Sequence, residues 1–431
     1  MQNIETYIKR RLRLMESMEP DSVLFLFSAP PARKSNDVFH PFRQDSDFFY
    51  FTGFDEESAA LVITGESTTL FLRDKNPEQE TWGGLRLGVD SAVERLGVSE
   101  AHNIDKFQDK VQAILKNRKT IYHRFGYDPK RDALLLESAA ELLKRTRNGE
   151  FGPTRIIHLS ALTHEMRIIK SAEEIEQIRE CALITKEAHE SAMSAARAGM
   201  VEYELEAELL RVFKRHGGTD AYPSIVAAGE NACILHYIRN DSPLRDGDLV
   251  LIDAAAERGL LNADVTRTFP VNGRFNPEQK ALYEIVLAAQ RGAIARMTTA
   301  HTMDDAHDEA VRIIAQGLID LRFVSGSLDE VLENKLYRKY FMHRTGHWLG
   351  MDVHDVGAYH IGDAPRRLVA GMVATVEPGL YIPVDDDRAP PPFRGIGIRI
   401  EDDVLIREGS PEVLTEFIPK EISAIESFMN R

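Results

Sequence analysis

A chain of 431 residues is too long for one ordinary core and predicts two domains. Its net charge of −15 excludes a general nucleic-acid or anionic-membrane binder, since both need basic patches. Two cysteines, Cys181 and Cys233, exclude a disulfide framework and a thiolate metal site, and read as small buried side chains of a protein kept in a reducing compartment.

In chain order, the first twenty residues mix Lys9, Arg10, Arg11 and Arg13 with Glu5 and Glu16, without the apolar core of a signal peptide. No apolar run reaches the ~18 residues of a membrane helix. The expectation is a cytoplasmic protein with no membrane or nucleic-acid partner. Ser22 to Phe27, Ala59 to Thr64 and Thr69 to Arg73 predict strands, and Asp132 to Lys144 an amphipathic helix with Asp132 as its N-cap. Phe151-Gly152-Pro153 breaks the pattern before a short strand at Arg155 to Leu159. Ser171 and Glu174 form a capping box that opens a long helix ending at Arg197, with Gly199 as the stop. The domain boundary therefore falls between 160 and 172, giving domains 1–165 and 166–431. Further helices are predicted at Tyr203 to His216, after the cap Asn276-Pro277-Glu278-Gln279, and at Met303 to Leu318. Val373 to Val376 and Ile396 to Ile400 read as strands, so the second half is α+β, an antiparallel sheet carrying helices on one side. Asp385-Asp386-Asp387 before Pro390-Pro391-Pro392 reads as an exposed, solvated loop.

The chemistry lies in that half. The apolar run Leu249 to Ile252 ends at Asp253, Glu257-Arg258-Gly259 reads as a turn, and Val265 to Phe269 returns. A two-residue loop at Arg258-Gly259 places Asp253 directly across from Asp264. Like charges so placed destabilise a sheet unless a cation lies between them. Three further segments offer ligands. His343 and His347 have the four-residue spacing of a helical zinc pair, but no Glu follows His343 and Gly346 opposes a helix; that glycine suggests close approach of a ligand. Glu377 ends an apolar strand before Pro378-Gly379. In Gly395 to Glu401 the isoleucines 396, 398 and 400 face one way, while Gly395, Gly397, Arg399 and Glu401 face the other, with room for something to approach. Asp402 points away. Asp253, Asp264, His347, Glu377 and Glu401 form an oxygen-rich set suited to manganese or another hard divalent ion. Four such carboxylates can cage two ions ~3.5–4 Å apart.

With Phe42-Arg-Gln-Asp-Ser-Asp-Phe-Phe-Tyr-Phe-Thr-Gly-Phe54, Glu80-Thr-Trp82, Cys233-Ile-Leu-His236-Tyr237 and Phe341-Met-His343, nearly the whole chain resembles the aminopeptidase P family of pita-bread metallopeptidases. The resemblance implies a catalytic domain of curved antiparallel sheet covered by helices, preceded by a smaller α/β domain serving oligomerisation and substrate access. It implies two divalent ions, Mn²⁺ first with Zn²⁺, Co²⁺ or Fe²⁺ as alternatives, on Asp253, Asp264, His347, Glu377 and Glu401. The implied activity is release of the first residue from peptides with proline second, by hydroxide that the metal pair activates. Glu377 shuttles the proton, His354 or His236 steadies the oxyanion, His343 lines the proline pocket, and Arg399 orients Glu401. The family also implies a homodimer or homotetramer, with Trp82 either in the core or at a neighbouring subunit's site. Arg344 departs from the glycine that many relatives carry. Alternatives are a prolidase acting on Xaa-Pro dipeptides, a creatinase-type C–N hydrolase working without metal, and a non-catalytic peptide-binding module of the same fold.

Overall fold

A computed structural model describes residues 3–145, 147 and 149–430. It divides into two compact units, Met1–Met166 and Arg167–Arg431. In the first unit, strands β1 (Ser22–Phe27), β2 (Ala60–Thr64), β3 (Thr68–Leu72), β4 (Glu100–Asn103), β5 (Thr120–His123) and β6 (Arg155–His158) form a mixed sheet in the order β4-β3-β2-β1-β5-β6. Val23, Phe25, Val62 and Phe71 from this sheet pack with Phe107, Val111, Leu135 and Leu142 from helices. The helix Pro129–Leu143 is capped by Asp128, not by Asp132. Pro129 supplies the first helical residue, which moves the cap one position before it. Asp132 instead accepts from the backbone of Gly126 at 2.8 Å and faces His123 at 3.2 Å.

The second unit carries two helix pairs, α1 (Ala172–Ala195) with α2 (Glu202–Arg215), and α3 (Pro277–Arg296) with α4 (Met303–Asp320). The boxes at Ser171/Glu174 and Asn276/Gln279 both form, because each side chain satisfies an amide that the helix start leaves unpaired. The strands are antiparallel: β7 (Ile225–Ala228), β8 (Leu249–Asp253) and β11 (Thr266–Pro270) in one sheet, β9 (Ala256–Arg258) and β10 (Leu261–Asn262) continuing its hairpin, then β12 (Val373–Val376) with β15 (Asp402–Leu405), and β13 (Gly379–Ile382) with β14 (Ile396–Arg399). Helices and strands share one core, in which Val250, Ile252, Leu282, Val286, Ile398 and Ile400 are all fully buried.

The hairpin register differs from the sequence expectation. Arg258 pairs with Leu261 and Asp253 with Thr266, so the loop is Gly259-Leu260 and Asp253 does not face Asp264. Both loop residues have positive φ, 62° and 59°, the backbone of a two-residue hairpin turn that follows strand twist. A leucine in that conformation is unusual, and no local preference selects it. Asp264 lies two positions along the strand from Thr266. The acidic triplet is also only partly solvated: Asp386 is buried and accepts from the Tyr340 hydroxyl at 2.8 Å and Lys339 at 2.6 Å.

Candidate metal centre

Asp253 ends β8 and Asp264 precedes β11, and the hydroxyl of Tyr222 lies within hydrogen-bond distance of both, at 2.6 and 2.5 Å. The two carboxylates thus address one point although they are diagonal rather than opposite. His347 presents Nε2 to Asp264 at 3.3 Å and to Glu377 at 3.7 Å. Glu401 accepts from the Thr266 hydroxyl at 2.7 Å. Ligand atoms of Asp264, His347 and Glu401 lie within 4.8 Å of one another, with Asp253 and Glu377 flanking them. The structure therefore brings together all five residues singled out from the sequence.

Their supports come from distant strands. Trp348 O and the Thr375 backbone hold the His347 segment: His347 Nδ1 lies 3.0 Å from the Trp348 carbonyl, and Thr375 N donates to His347 O at 2.9 Å. Gly346 is required there because a Cβ would fall 2.0 Å from the Thr375 carbonyl; the partner it admits is the protein's own backbone, not a ligand. Gly397 is similar: its Cβ would stand 2.2 Å from the Ala232 carbonyl, so the 3₁₀ turn Gly229–Cys233 occupies the space read as open from the sequence. Arg399 donates to Asp253 at 2.7 Å, to Tyr381 at 3.1 Å and to Thr266 at 3.0 Å. It reaches Glu401 through the Thr266 hydroxyl, which accepts from Arg399 and donates to Glu401.

The three other histidines surround the cluster. His343 Nε2 meets the Tyr381 hydroxyl at 2.9 Å, and its Nδ1 lies 4.0 Å from Glu377. The His354 ring stands 4.3 Å from that of His347, edge to face. His236 is exposed and within electrostatic reach of both His343 and His354. Two buried carboxylates hold the loops that carry these rings. Glu202 accepts from Ala228 N (2.7 Å), Asn231 (3.0 Å), Tyr237 (2.8 Å) and Ser242 N (2.8 Å), and so fastens the segment bearing His236. Asp355 takes Arg167 at 2.6 Å and Lys170 at 2.9 Å, fastening the loop of His354. Sequence reasoning missed Tyr222, Thr266, Glu202 and Asp355. The correct register alone would have found Thr266; the others are long-range partners without a local signal.

The electrostatics ask for positive charge. Burial raises the Glu401 carboxyl well above its ordinary range, and the charges of Asp264, Glu377 and Asp253 add to it. Burial likewise pushes Glu377 up to about 7 against the opposing pull of His347 and Arg399. Burial depresses the His347 imidazolium, but the hydrogen bond and charge of Asp264, then Glu377, overcome that and hold it at about 9. His343 is driven down to about 4 by burial and by Arg399, and stays neutral. Four carboxylates crowd around one imidazole, and the one buried arginine among them, Arg399, does not balance their charge. An oxygen-rich set of this kind fits a hard divalent ion.

Fold and cluster together define a metal-dependent hydrolase. Residues 176–408 match the model of metallopeptidase family M24, and residues 7–122 that of the aminopeptidase P N-terminal domain. The Xaa-Pro aminopeptidase of Haemophilus influenzae is 45% identical over 431 residues, 99% of this chain and 97% of that relative. The structure of Pseudomonas aeruginosa aminopeptidase PepP superposes with a TM-score of 0.97 at 43% identity, covering 100% of this chain and 98% of the other. The zinc-substituted structure of Escherichia coli aminopeptidase P in complex with product gives 0.96 at 41% identity, with coverage of 100% and 98%. The chain belongs to metallopeptidase family M24 and, within it, to the aminopeptidase P group. Its two-part architecture is that of the group, an N-terminal α/β domain before a pita-bread domain. Among the described residues no helix is long and apolar enough to cross a membrane.

Proposed function

We propose that this chain releases the first residue of peptides whose second residue is proline. It uses two divalent ions, Mn²⁺ in preference to Zn²⁺, Co²⁺ or Fe²⁺, held by Asp253, Asp264, His347, Glu377 and Glu401. The buried cluster of four carboxylates around one imidazole carries this reading, and the names of the relatives support the substrate class. Divalent ions held by these residues would supply a nucleophilic water at neutral pH and polarise the carbonyl under attack.

The chain's own residues do the rest. The acidic surroundings attract the protonated amino terminus of a peptide, which confines cutting to the first bond. Glu377, at the edge of the cluster, takes the proton of the attacking water. It passes one to the prolyl nitrogen, which cannot leave unprotonated. His354 and His236 donate to the carbonyl oxygen as charge develops on it. Neutral His343, with Tyr381 at 2.9 Å and the edge of Phe341, walls the side on which the proline ring rests. Arg399 fixes Asp253 directly and Glu401 through Thr266. Both cysteines are free thiols, which supports a cytoplasmic setting.

Chelation is expected to abolish cleavage of an Xaa-Pro-peptide and Mn²⁺ to restore it. Asp264→Ala is expected to lose at least ~100-fold in kcat/KM. Unchanged turnover of that variant rules out the metal assignment, and cleavage confined to Xaa-Pro dipeptides replaces this reading with a prolidase.

A further inference from the structure

Outside the cluster three segments meet on Asp304, in the first turn of α4. Arg344 pairs with it from the segment before His347, and His360 Nε2 lies 3.8 Å away, on an exposed two-stranded turn. The Arg344 backbone is fixed on both sides: its carbonyl lies 2.7 Å from His343 Nδ1, and the next carbonyl, of Thr345, accepts from Glu377 N at 2.7 Å. His307 holds the Thr345 hydroxyl at 2.8 Å. The guanidinium is therefore launched from a rigid point beside His343, yet its side chain is 59% exposed and its partner 34%. Tyr359 lies within electrostatic reach of both Glu377 and Arg344, which links this ion pair to the cluster. An exposed ion pair of this kind contributes little and exchanges partners readily.

We propose that Arg344 is a specificity residue for the leaving peptide, binding a carboxylate carried by the third residue of the substrate in place of Asp304. The inference rests on the peptidase reading above. With the first residue at the cluster and proline against His343, the third residue's carboxylate lies about 7 Å further along an extended chain, within reach of an arginine side chain that starts next to His343. Arginine recognises carboxylate through two parallel N–H donors, a geometry that glycine at this position cannot supply. The carboxylate is the C-terminus of a tripeptide or the side chain of an acidic third residue.

The test compares Xaa-Pro-Ala, Xaa-Pro-Ala-amide and Xaa-Pro-Asp-amide on the Mn²⁺-loaded full chain. The expected result is a KM about tenfold lower for a carboxylate-bearing peptide than for Xaa-Pro-Ala-amide. Preference for the free acid alone identifies the C-terminus as the ligand, and preference for the Asp peptide the side chain. Arg344→Gly and Arg344→Met bring the ratio to one, while Asp304→Asn, which removes the competing carboxylate, widens it. A ratio of one in the parent chain, or a ratio that survives both Arg344 variants, overturns the proposal. Failure to cleave any of the three peptides overturns the peptidase reading instead, and this inference with it.

Discussion

Glu377 and His347 are both displaced upward, to about 7 and about 9, so the metal-free cluster holds protons at neutral pH. The stability each adds is complete below its unfolded pKa. It drains away as pH climbs, through about 7 for Glu377 and about 9 for His347. A divalent ion must displace those protons, and binding therefore tightens with rising pH. At pH 7 the expectation is release of roughly one to two protons on loading, one from His347 and part of one from Glu377. Calorimetry of Mn²⁺ binding in buffers of different ionisation enthalpy measures that number. The gap in melting temperature between loaded and metal-free protein should also widen from pH 6 to pH 9. Release of no proton would mean that the carboxylates do not share the charge as their spacing requires.

The supporting elements set how well those residues are held. Glu202 starts α2 and gives its whole carboxylate to the loop 228–242, with four donors at 2.7–3.0 Å. Glu202→Gln turns one accepting oxygen into an amide facing donors. A cost of about 2–3 kcal/mol in stability is expected, with a fall in kcat through displaced His236. Urea denaturation and steady-state kinetics of the variant measure the two effects, and wild-type stability would show that the carboxylate is not the clasp. Such a residue is invisible in the sequence, where Glu202 is one more acid at a helix start. What local chemistry controls was legible: the boxes at Ser171 and Asn276, the strand Val373–Val376, and the alternation of Gly395 to Glu401. All five cluster residues were legible too, because each ends or flanks a recognisable strand or turn. The hairpin was not, since Leu260 adopts a left-handed backbone that only the twist of the finished sheet selects. Asp128 was passed over for Asp132 because both are aspartates and Pro129 decides between them. The glycines 346 and 397 were read as space for a ligand, whereas the occupant is backbone brought from far along the chain.

On the scale of the whole molecule, the two tryptophans divide sharply. Trp348 is fully buried beside the cluster, and Trp82, on the helix Pro77–Gly83, is 88% exposed, with Leu85 at 92% beside it. Trp82 is therefore not a core residue of its own unit. We propose that it meets a second copy of the chain in a homodimer or homotetramer, since large apolar side chains so exposed mark interaction surfaces. Sedimentation is expected to give an assembly that Trp82→Glu weakens by at least tenfold in dissociation constant, a penalty of about 1.4 kcal/mol. A parent chain that sediments as a monomer sinks the idea. The glycines beside the cluster have a different lesson. Because Gly346 and Gly397 are filled from behind by Thr375 and Ala232, any side chain there collides with the scaffold before a peptide arrives. Directed evolution of the substrate site should leave those glycines alone and randomise exposed chain neighbours of His236 and His343, namely Ile234, Ile238 and Met342, where new side chains displace no buried packing.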